Sequence, residues 1–398
     1  MKNITYCKKC VNTSSSAVPL EFTNWICSWC NTHWTIDEID WERRKKKFIR
    51  IANEYKSKDE TNYDCIIPVS WWKDSYFQVH IIKNVCWLNP LLITYNSNNY
   101  TDTGLKNLYN MRKAFGVDHI FYTPNIDTLK KMNRMWMQMM WDMNWHGHSW
   151  IFTYPIKMAV QSKVPLMIWG EHWFMDLWWM HSYNDFVEFT YRYRHEHSLR
   201  WYEWDDFLEN AEKYWEELKK QDLITWMYPS DKEIEDIWVR WIYISNYFKW
   251  DANTHGPLMM EKYWFIEYEH EFERTYRKMS NLDDMHENWI HDYMKFVKFW
   301  YWRATDHVSK DIRSWIMTRD KWIEIIKKMD HIKSKDLYRW LDYVWWTEEK
   351  FNKIADTFRD PRVWWIENWK WYKNNIWWDN SSYWKVYLPK NLHDKYKK

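Results

Sequence analysis

Residues 63–75, with the sequence YDCIIPVSWWKDS, decide the fold of this chain. A short apolar run ends at Val69, a turn begins with Ser70, and Lys73-Asp74-Ser75 has the character of a helix start. A buried strand followed by a serine-led turn and a helix N-terminus is the usual construction of a phosphate-binding loop, because backbone N–H groups there point toward the anion. The stretch therefore predicts a phosphate-binding loop at the end of the first strand of a sheet.

Strand and helix patterns alternate from residue 62 to about residue 170. The strand patterns fall at 63–69, 90–95, 119–122 and 165–168. The helical patterns between them fall at about 73–86, 104–115, 126–144 and 155–162. This alternation predicts an α/β fold with a parallel sheet, whose ligands bind at the carboxyl ends of the strands.

The remainder of the chain divides into a cysteine-containing start and a helical end. Residues 36–57 have helical spacing with a charged face, and the pattern beyond about 185 is mainly helical. Helices are predicted there at 203–220, 231–248, 283–299, 306–329, 334–343 and 347–357. We therefore predict a zinc-ribbon unit at 1–35, an α/β domain at 36–185 and a mainly helical domain at 186–398.

Four cysteines near the N-terminus form two C-x2-C pairs, which are Cys7, Cys10, Cys27 and Cys30. Two such pairs supply four thiolates able to close around a tetrahedral metal, and the spacing favours structural zinc. A redox or disulfide pair and an iron–sulfur cluster are the alternatives. Cys65 and Cys86 lie within a predicted strand and at a helix end, so we interpret them as small core residues.

Charge and hydropathy exclude several classes of protein. The 398 residues carry a formal net charge of +2, from 57 basic and 55 acidic side chains, which gives no reason to expect nucleic acid as a partner. No apolar run approaches the roughly 18 residues that a membrane span needs, and the N-terminus has no signal-peptide core. We expect a cytoplasmic protein without a membrane partner.

Glycine and tryptophan are present in unusual numbers. The chain has 5 glycines and 38 tryptophans, whereas average usage predicts roughly 28 glycines in a chain of this length. Many tryptophans lie in loop-like contexts such as Trp178-Trp179 and Trp377-Trp378. We interpret the sequence as one in which tryptophan occupies most of the positions that glycine normally takes.

The residues after the first strand, read together with several longer motifs, resemble those of one family. Ser70-x-x-Lys73-Asp74-Ser75 is similar to the S-G-G-x-D-S loop of the ATP pyrophosphatases, the PP-loop or adenine nucleotide alpha hydrolase-like superfamily. Segments at 88–96, 115–124, 169–172, 184–188 and 303–313 resemble the N-acetyl sugar amidotransferases of bacterial surface-polysaccharide and flagellar-glycan biosynthesis. The resemblance covers about residues 1–380.

The resemblance implies a reaction on a nucleotide-linked sugar. ATP with Mg²⁺ would adenylate the oxygen of an acetamido group, and ammonia would then displace AMP to leave an acetamidino group. The ammonia would come from a separate glutaminase acting with a cyclase-like partner. An amide oxygen is a poor leaving group until it is adenylated, so such a protein contributes positioning and charge stabilisation.

The resemblance also implies roles for individual residues. Ser70, Trp71, Trp72 and Ser75 would surround the pyrophosphate, with Lys73 and Asp74 acting beside it. Tyr95, Asn96 and Glu171 would lie on the next loops at the nucleotide. Arg303, Lys310 and Arg313 would close over phosphate or sugar; on the residues alone they could equally be surface ion pairs.

Trp71 and Trp72 stand where the family has glycine, and large side chains there would hinder the approach of an anion. Further tryptophans flank the other expected ligand loops: Trp173, Trp178, Trp179, Trp300 and Trp302. A catalytically inactive protein with an obstructed phosphate loop is therefore a second hypothesis, and a tRNA-modifying PP-loop enzyme is a third. The near-neutral charge argues against the third.

His286 and His291 resemble a zinc-binding H-E-x-x-H pair but are one residue too far apart. Five residues of helix turn by about 500°, which places the two side chains on different faces. We therefore do not expect them to share a metal.

Overall fold

A parallel five-stranded sheet forms the centre of the molecule. The computed structural model describes residues 4–16, 20–70, 72–172, 183–279, 286–299, 303–330, 332–373 and 382–397. Its strands are β1 (Phe22–Thr23), β2 (Ile26–Cys27), β3 (Cys65–Pro68), β4 (Pro90–Tyr95), β5 (Asp118–Tyr122), β6 (Leu166–Trp169), β7 (Arg240–Tyr243), β8 (Trp364–Glu367), β9 (Lys370–Lys373) and β10 (Ser382–Lys385).

The central sheet has the strand order β5-β4-β3-β6-β7, with all neighbours parallel. Its inner strands are continuous apolar runs buried on both faces, as the segment Pro90–Tyr95 illustrates. The chain builds outward from β3 through β4 to β5, and then crosses to the other side of β3 for β6 and β7. This reversal opens a crevice at the carboxyl ends of β3 and β6, where ligands of such sheets bind.

Helices pack on both faces of this sheet and form most of the C-terminal region. They are α1 (Ser28–Thr32), α2 (Trp41–Glu54), α3 (Lys73–His80), α4 (Asp102–Phe115), α5 (Ile126–Met140), α6 (Trp145–Ile151), α7 (Tyr154–Ser162), α8 (Tyr191–Tyr193), α9 (Trp204–Ala211), α10 (Asp231–Ile237), α11 (Ala252–Tyr263), α12 (Glu287–Phe299), α13 (Arg303–Arg313), α14 (Arg319–Met329), α15 (Asp336–Val344) and α16 (Glu348–Thr357). The predicted α/β class, the parallel sheet and the helical C-terminal region are confirmed.

Three predicted helices differ from the structure. The pattern at 203–220 contains α9 and a short 3-10 turn that ends at Trp215. The pattern at 231–248 contains the short helix α10 and then β7, which supplies the fifth strand of the central sheet. The pattern at 306–329 is divided into α13 and α14 by a turn that contains Trp315. The three-stranded antiparallel sheet of β8, β9 and β10 was not predicted. The division at residue 185 remains a prediction, with β7 reaching the sheet from beyond it.

Among the described residues, ten tryptophans adopt the left-handed backbone conformation that favours glycine. Their φ angles lie between 55° and 71°, and they are Trp25, Trp87, Trp141, Trp201, Trp215, Trp238, Trp264, Trp315, Trp345 and Trp369. Several end helices: Trp141 follows α5, Trp238 follows α10 and Trp345 follows α15. Helices commonly end on a left-handed glycine, so these tryptophans occupy positions at which glycine carries no steric cost.

The N-terminal cysteine unit docks on the helical C-terminal region. Val308 and Ile312 of α13, with Trp322 and Ile326 of α14, form one buried apolar cluster with the cysteines. The unit is also fixed by polar contacts, since Ser309 Oγ donates to Asn12 Oδ1 at 3.0 Å. The first and the last thirds of the chain therefore share a core.

Within the described ranges, none of the helices combines the length and the apolar character needed to cross a bilayer.

Candidate active site

Two loops meet at the crevice between β3 and β6. The first loop leaves β3 at Val69 and enters α3 at Lys73, and the second begins at Gly170 after β6. The second loop is held by the loop after β7, because Ser245 N donates to Gly170 O at 3.1 Å and His172 N donates to Ser245 Oγ at 3.0 Å. Ser70, Lys73, Asp74, Ser75 and Glu171 were predicted from sequence as ligand-facing residues, and they flank the same crevice.

Serine side chains organise the loop after β3. The Ser75 Oγ accepts from Ser70 N at 3.0 Å and lies 3.2 Å from Ser70 Oγ, while Trp72 N donates to Ser70 Oγ at 3.4 Å. No side chain caps α3, so its first-turn amides are oriented as in a helix N-terminal anion site.

The backbone of Trp72 is unstrained. Its φ of −77° and ψ of 156° lie in the extended region that any residue adopts. The obstacle at this position is therefore the volume of the indole and not the conformation of the turn. Trp72 Nε1 is buried and finds no hydrogen-bond partner among the atoms of the described chain. Trp71 lies outside the described residues, as do Trp173, Trp178, Trp179, Trp300 and Trp302.

Lys73, Asp74 and His255 form a buried charged group at the start of α3. Lys73 is 5% exposed, and its Nζ lies 2.9 Å from Asp74 Oδ2. His255 Nδ1, from α11, lies 3.8 Å from Asp74 Oδ1, and its ring stacks on Phe77 with 3.5 Å between centroids. Burial raises the pKa of Asp74, but Lys73 and His255 outweigh it and hold that pKa below the usual value. The carboxylate is therefore ionised and fixes the lysine beside the loop.

One face of α13 covers the crevice. Lys310 Nζ lies 3.8 Å from Glu171 Oε1, and Arg303 Nη2 lies 3.0 Å from Asp292 Oδ1 on α12. His307 lies between them on the same face, because residues spaced by three or four share one side of a helix. Its Nδ1 lies 2.6 Å from Thr275 Oγ1. Burial lowers the pKa of His307 well below its usual value, and nearby cations, Lys73 among them, add to this. The α13 face thus contacts the β6 loop through Lys310 and lies near enough to the β3 loop for Lys73 to influence the pKa of His307.

Three predicted site residues have other surroundings. The Tyr95 hydroxyl is buried and lies 2.8 Å from His146 Nδ1, so the ring belongs to the core beneath the sheet edge. Asn96 Nδ2 donates to Thr123 Oγ1 at 3.1 Å in the next loop. Arg313 is buried with its guanidinium 5.4 Å from the ring of Trp29, beside the cysteine unit. The crevice therefore gathers Ser70, Lys73, Asp74, Ser75, Glu171 and Lys310, with Arg303 at the far end of α13.

The four cysteines form a compact buried cluster. Their Sγ atoms all lie within 4.8 Å of one another, with 3.9 Å between Cys7 and Cys30 and 3.7 Å between Cys10 and Cys27. A tetrahedral zinc with Zn–S bonds of about 2.3 Å requires S···S edges of about 3.8 Å, whereas a disulfide requires about 2.05 Å. Backbone N–H groups of Cys10 and Cys27 also donate to Cys7 Sγ at 3.4 and 3.3 Å. The cluster fits zinc, and all six cysteines are free thiols.

His255, His307 and Asp292 belong to the site but were not predicted from sequence. His255 and Asp292 reach it through tertiary packing from helices whose local patterns carry no motif, whereas His307 lies within the 303–313 segment that carries the family resemblance. His286 and His291 have different neighbours, as helical geometry predicts. His286 Nδ1 contacts Asp336 Oδ1 at 2.9 Å. The His291 ring lies 6.3 Å from that of His148. Besides the family resemblance, the signal for the α13 face was its spacing, with charged or polar residues at 303, 307 and 310.

The sheet order and the crevice define an α/β protein with a parallel sheet and a candidate anion-binding loop at the switch point. Residues 261–376 match the family model described as LPS biosynthesis protein WbpG-like, C-terminal domain. The matched segment contains α12 and α13, and therefore the helical side of the crevice. Residues 261–376 are thus similar to the C-terminal domain of WbpG-like LPS biosynthesis proteins.

Comparison with solved structures and curated proteins adds little. An NH3-dependent NAD synthetase from Campylobacter jejuni subsp. jejuni NCTC 11168, in complex with the nitrate ion, is 11% identical, with a TM-score of 0.28, over 50% of this chain and 92% of that chain. At that TM-score the similarity supports no conclusion about the activity of this chain. No curated protein matches the sequence.

Proposed function

We propose that this protein is an ATP-dependent amidotransferase of lipopolysaccharide biosynthesis that converts the acetamido group of a nucleotide-linked sugar into an acetamidino group. The observation that carries the proposal is the α13 face, which lies within the WbpG-like segment and brings Lys310 to Glu171 at the switch point of the sheet. The alternative for Lys310 is an ordinary surface ion pair. That alternative does not explain why its partner, Glu171, lies in the loop that follows a central strand.

The reaction would proceed in two balanced steps. The amide oxygen attacks the α-phosphorus of ATP, the bond to the β-phosphate oxygen breaks, and pyrophosphate leaves. Ammonia then adds to the activated carbon, the C–O bond to AMP breaks, and AMP leaves with the electron pair. The first step makes a good leaving group from a poor one, so its main requirement is stabilisation of negative charge on the departing pyrophosphate.

The residues of the crevice suit this requirement. The first-turn amides of α3 and the hydroxyls of Ser70 and Ser75 would bind pyrophosphate oxygens. Lys73, held by Asp74, and Lys310, released from Glu171, would place positive charge on either side of the anion. Such preorganised donors stabilise a developing charge more than water does, because they need not reorient during the reaction.

The proposed cofactors and partners have separate roles. Mg²⁺ would accompany ATP and neutralise its phosphates. Zinc at Cys7, Cys10, Cys27 and Cys30 would be structural, since four thiolates leave no open coordination position. Ammonia would come from a separate glutaminase with a cyclase-like partner.

A second candidate is a protein of the same fold without catalytic activity. The Trp72 indole is partly buried beside the β3 loop, with its Nε1 unpartnered among the described atoms. An indole in that position would compete with pyrophosphate for the loop. Because the backbone at Trp72 is extended and unstrained, replacement by glycine should open the loop without refolding it.

The direct test is release of AMP. Purified chain is mixed with ATP, Mg²⁺, ammonium chloride and a panel of nucleotide-linked N-acetyl sugars, and AMP and the sugar product are followed by mass spectrometry. The proposal predicts AMP together with a sugar product 1 Da lighter, since a carbonyl oxygen is replaced by an N–H group. The same assay with Trp71→Gly/Trp72→Gly separates the two candidates. Activity only in the double variant means that the indoles obstruct a competent site, and no activity in either protein contradicts the amidotransferase proposal.

A further inference from the structure

A polar stripe on α12 faces the protein interior. Glu287, His291, Lys295 and Lys298 are spaced by four, four and three residues and therefore lie on one side of the helix. The adjacent side, which includes Ile290, Met294 and Val297, packs into the C-terminal core. Helices of globular proteins ordinarily turn such a charged stripe toward solvent, but here Glu287 is 1% exposed and Lys295 is only half-exposed.

Charged and titratable groups of three other elements face this stripe. The α6 helix and the loop before it contribute His148, whose ring lies 6.3 Å from that of His291, and Asp142. Asp142 is already neutralised by Arg200 at 3.2 Å, and Asp292 is neutralised by Arg303 at 3.0 Å. The neighbouring carboxylates of the cluster thus have cations of their own, apart from Asp306 on α13, whose pKa is raised by burial.

Lys295 lacks such a partner. Across the described chain, its Nζ takes part in no hydrogen bond and no ion pair within 4.0 Å. Burial lowers its pKa, as does the nearby Arg303. Burial likewise lowers the pKa of His291 to about 3, with Lys295 contributing. Asp306, Asp292 and Asp142 raise the pKa of Lys295 from a distance, but no oxygen of the described residues contacts its Nζ, and partly buried ammonium groups of this kind are concentrated at binding sites.

We propose that the α12 stripe, with Lys295 at its centre and His291, Lys298 and His148 around it, is the subsite for the diphosphate of the nucleotide-linked sugar. This inference rests on the proposed function, which requires a second anionic substrate beside ATP. Phosphate oxygens supply the acceptors that Lys295 lacks, and they suit imidazole donors as well.

The position of the stripe agrees with this role. At one end of α13, Arg303 pairs with Asp292 on α12, the helix that carries the stripe. Further along α13, Lys310 lies beside Glu171 in the β6 loop. Seven residues of helix separate those contacts, which corresponds to roughly 10 Å. A sugar held by its diphosphate on α12 could therefore extend its acetamido group along α13 toward the crevice where ATP is proposed to bind.

The test measures binding of UDP-N-acetylglucosamine by isothermal titration calorimetry, with GDP- and CMP-linked sugars as further probes and ATP–Mg²⁺ titrated separately. Lys295→Gln should weaken the sugar nucleotide at least tenfold and leave the ATP affinity within twofold of the original. Lys295→Arg should retain most of the affinity, since it preserves the charge. Lys328→Gln, at an exposed lysine of α14, should change neither affinity.

The outcomes separate this inference from the proposed function. If Lys295→Gln binds the sugar nucleotide as tightly as the original chain does, the subsite is wrong, even though ATP binding would leave the amidotransferase proposal standing. Failure of all three probes to bind the original chain also overturns the subsite. If ATP does not bind but the sugar nucleotide binds in a Lys295-dependent manner, the subsite stands and the proposed function fails. Should Lys295→Gln not fold, Lys298→Gln provides the same comparison with a smaller expected loss.

Discussion

Lys310 of α13 lies 3.8 Å from Glu171, the second residue after β6. At this distance and with 35% and 19% of their side chains exposed, the two charges form a loose pair that would contribute little to stability as a surface contact. A loose pair is easily exchanged, however. A phosphate entering the crevice would draw Lys310 away from Glu171, and the carboxylate would become available for a cation that accompanies the phosphate.

Lys310→Met should therefore reduce ATP-dependent AMP release by roughly a hundredfold, the loss expected when one preorganised donor to a developing anion is removed. Steady-state assays at saturating ATP measure this. Lys327→Gln on α14 removes a lysine from an exposed pair with Glu324 and is the matched control. Equal losses in the two variants would show that Lys310 acts only through the stability of the helical region.

Asp74→Asn should lower the free energy of unfolding by about 3 kcal/mol at pH 7, because it leaves the buried Lys73 without its counter-ion. Urea denaturation measures the difference. The folded-state pKa of Asp74 lies below its unfolded value, so its contribution is present above the unfolded pKa and disappears as the pH falls. The two proteins should thus converge in stability in acid, and a difference that persists at low pH would rule out the ion pair as its cause.

Trp238→Gly should stabilise the protein by about 1 kcal/mol. Trp238 ends α10 with a φ of 57° and is 83% exposed, so glycine removes the steric cost of its Cβ and little packing is lost. Thermal unfolding of Trp238→Gly and Trp238→Ala separates the two effects. Alanine keeps the Cβ and should give no gain, and an equal gain from both would mean that the exposed indole itself was the destabilising feature.

Zinc content should follow the four-cysteine cluster. The purified chain should contain one zinc per molecule by elemental analysis, and Cys10→Ser should lose it together with thermal stability, since structural zinc contributes directly to folding. Cys86→Ala alters a buried thiol outside the cluster and should retain the metal. Iron in place of zinc would favour the iron–sulfur alternative.

Glu287 should make the protein less stable as the pH rises. Burial raises its pKa to about 7 in the folded state, so the folded state retains a proton that the unfolded state has lost. The unfolded state binds fewer protons between the unfolded pKa and about pH 7, and stability therefore falls across that interval. Glu287→Gln should remove roughly 3 kcal/mol of this decline, measured by urea denaturation from pH 5 to pH 8. Glu209→Gln, at an exposed position of α9, should leave the pH dependence unchanged.

The sequence predicted those elements whose signals are local. The strands at 65–68, 90–95 and 166–169 are mainly apolar and buried, and 118–122 ends in three apolar or aromatic residues; the serine-led sequence after the first of them marked the loop that follows. The strand β7 was missed because Arg240-Trp-Ile-Tyr243 follows a charged helix without a glycine or proline to separate them. The turn between α13 and α14 was also missed, because it contains Trp315 in a conformation where a glycine would have indicated a turn.

The composition of the site depended on tertiary contacts that a sequence pattern does not contain. Nothing near His255 in the sequence indicates that it meets Asp74, and nothing near His291 indicates that its ring lies beside that of His148 on α6. Arg303 and Lys310 share one helix face while Arg313 lies beside the cysteine unit, and the ligand-binding roles of all three remain predictions. Helical spacing shows on which face of a helix a residue lies. Which residue it contacts depends on where the whole helix packs in the fold.

The docking of the N-terminal cysteine unit on α13 and α14 has a consequence for biosynthesis. Ser309 and its partner Asn12 are separated by 297 positions in the chain. At translation rates of about 5–20 residues per second, the cysteine unit waits roughly 15–60 s on the ribosome before its docking surface exists. Early metal capture during that interval would keep the thiols from oxidation, and a nascent chain stalled before α13 would expose the apolar side of the unit to chaperones.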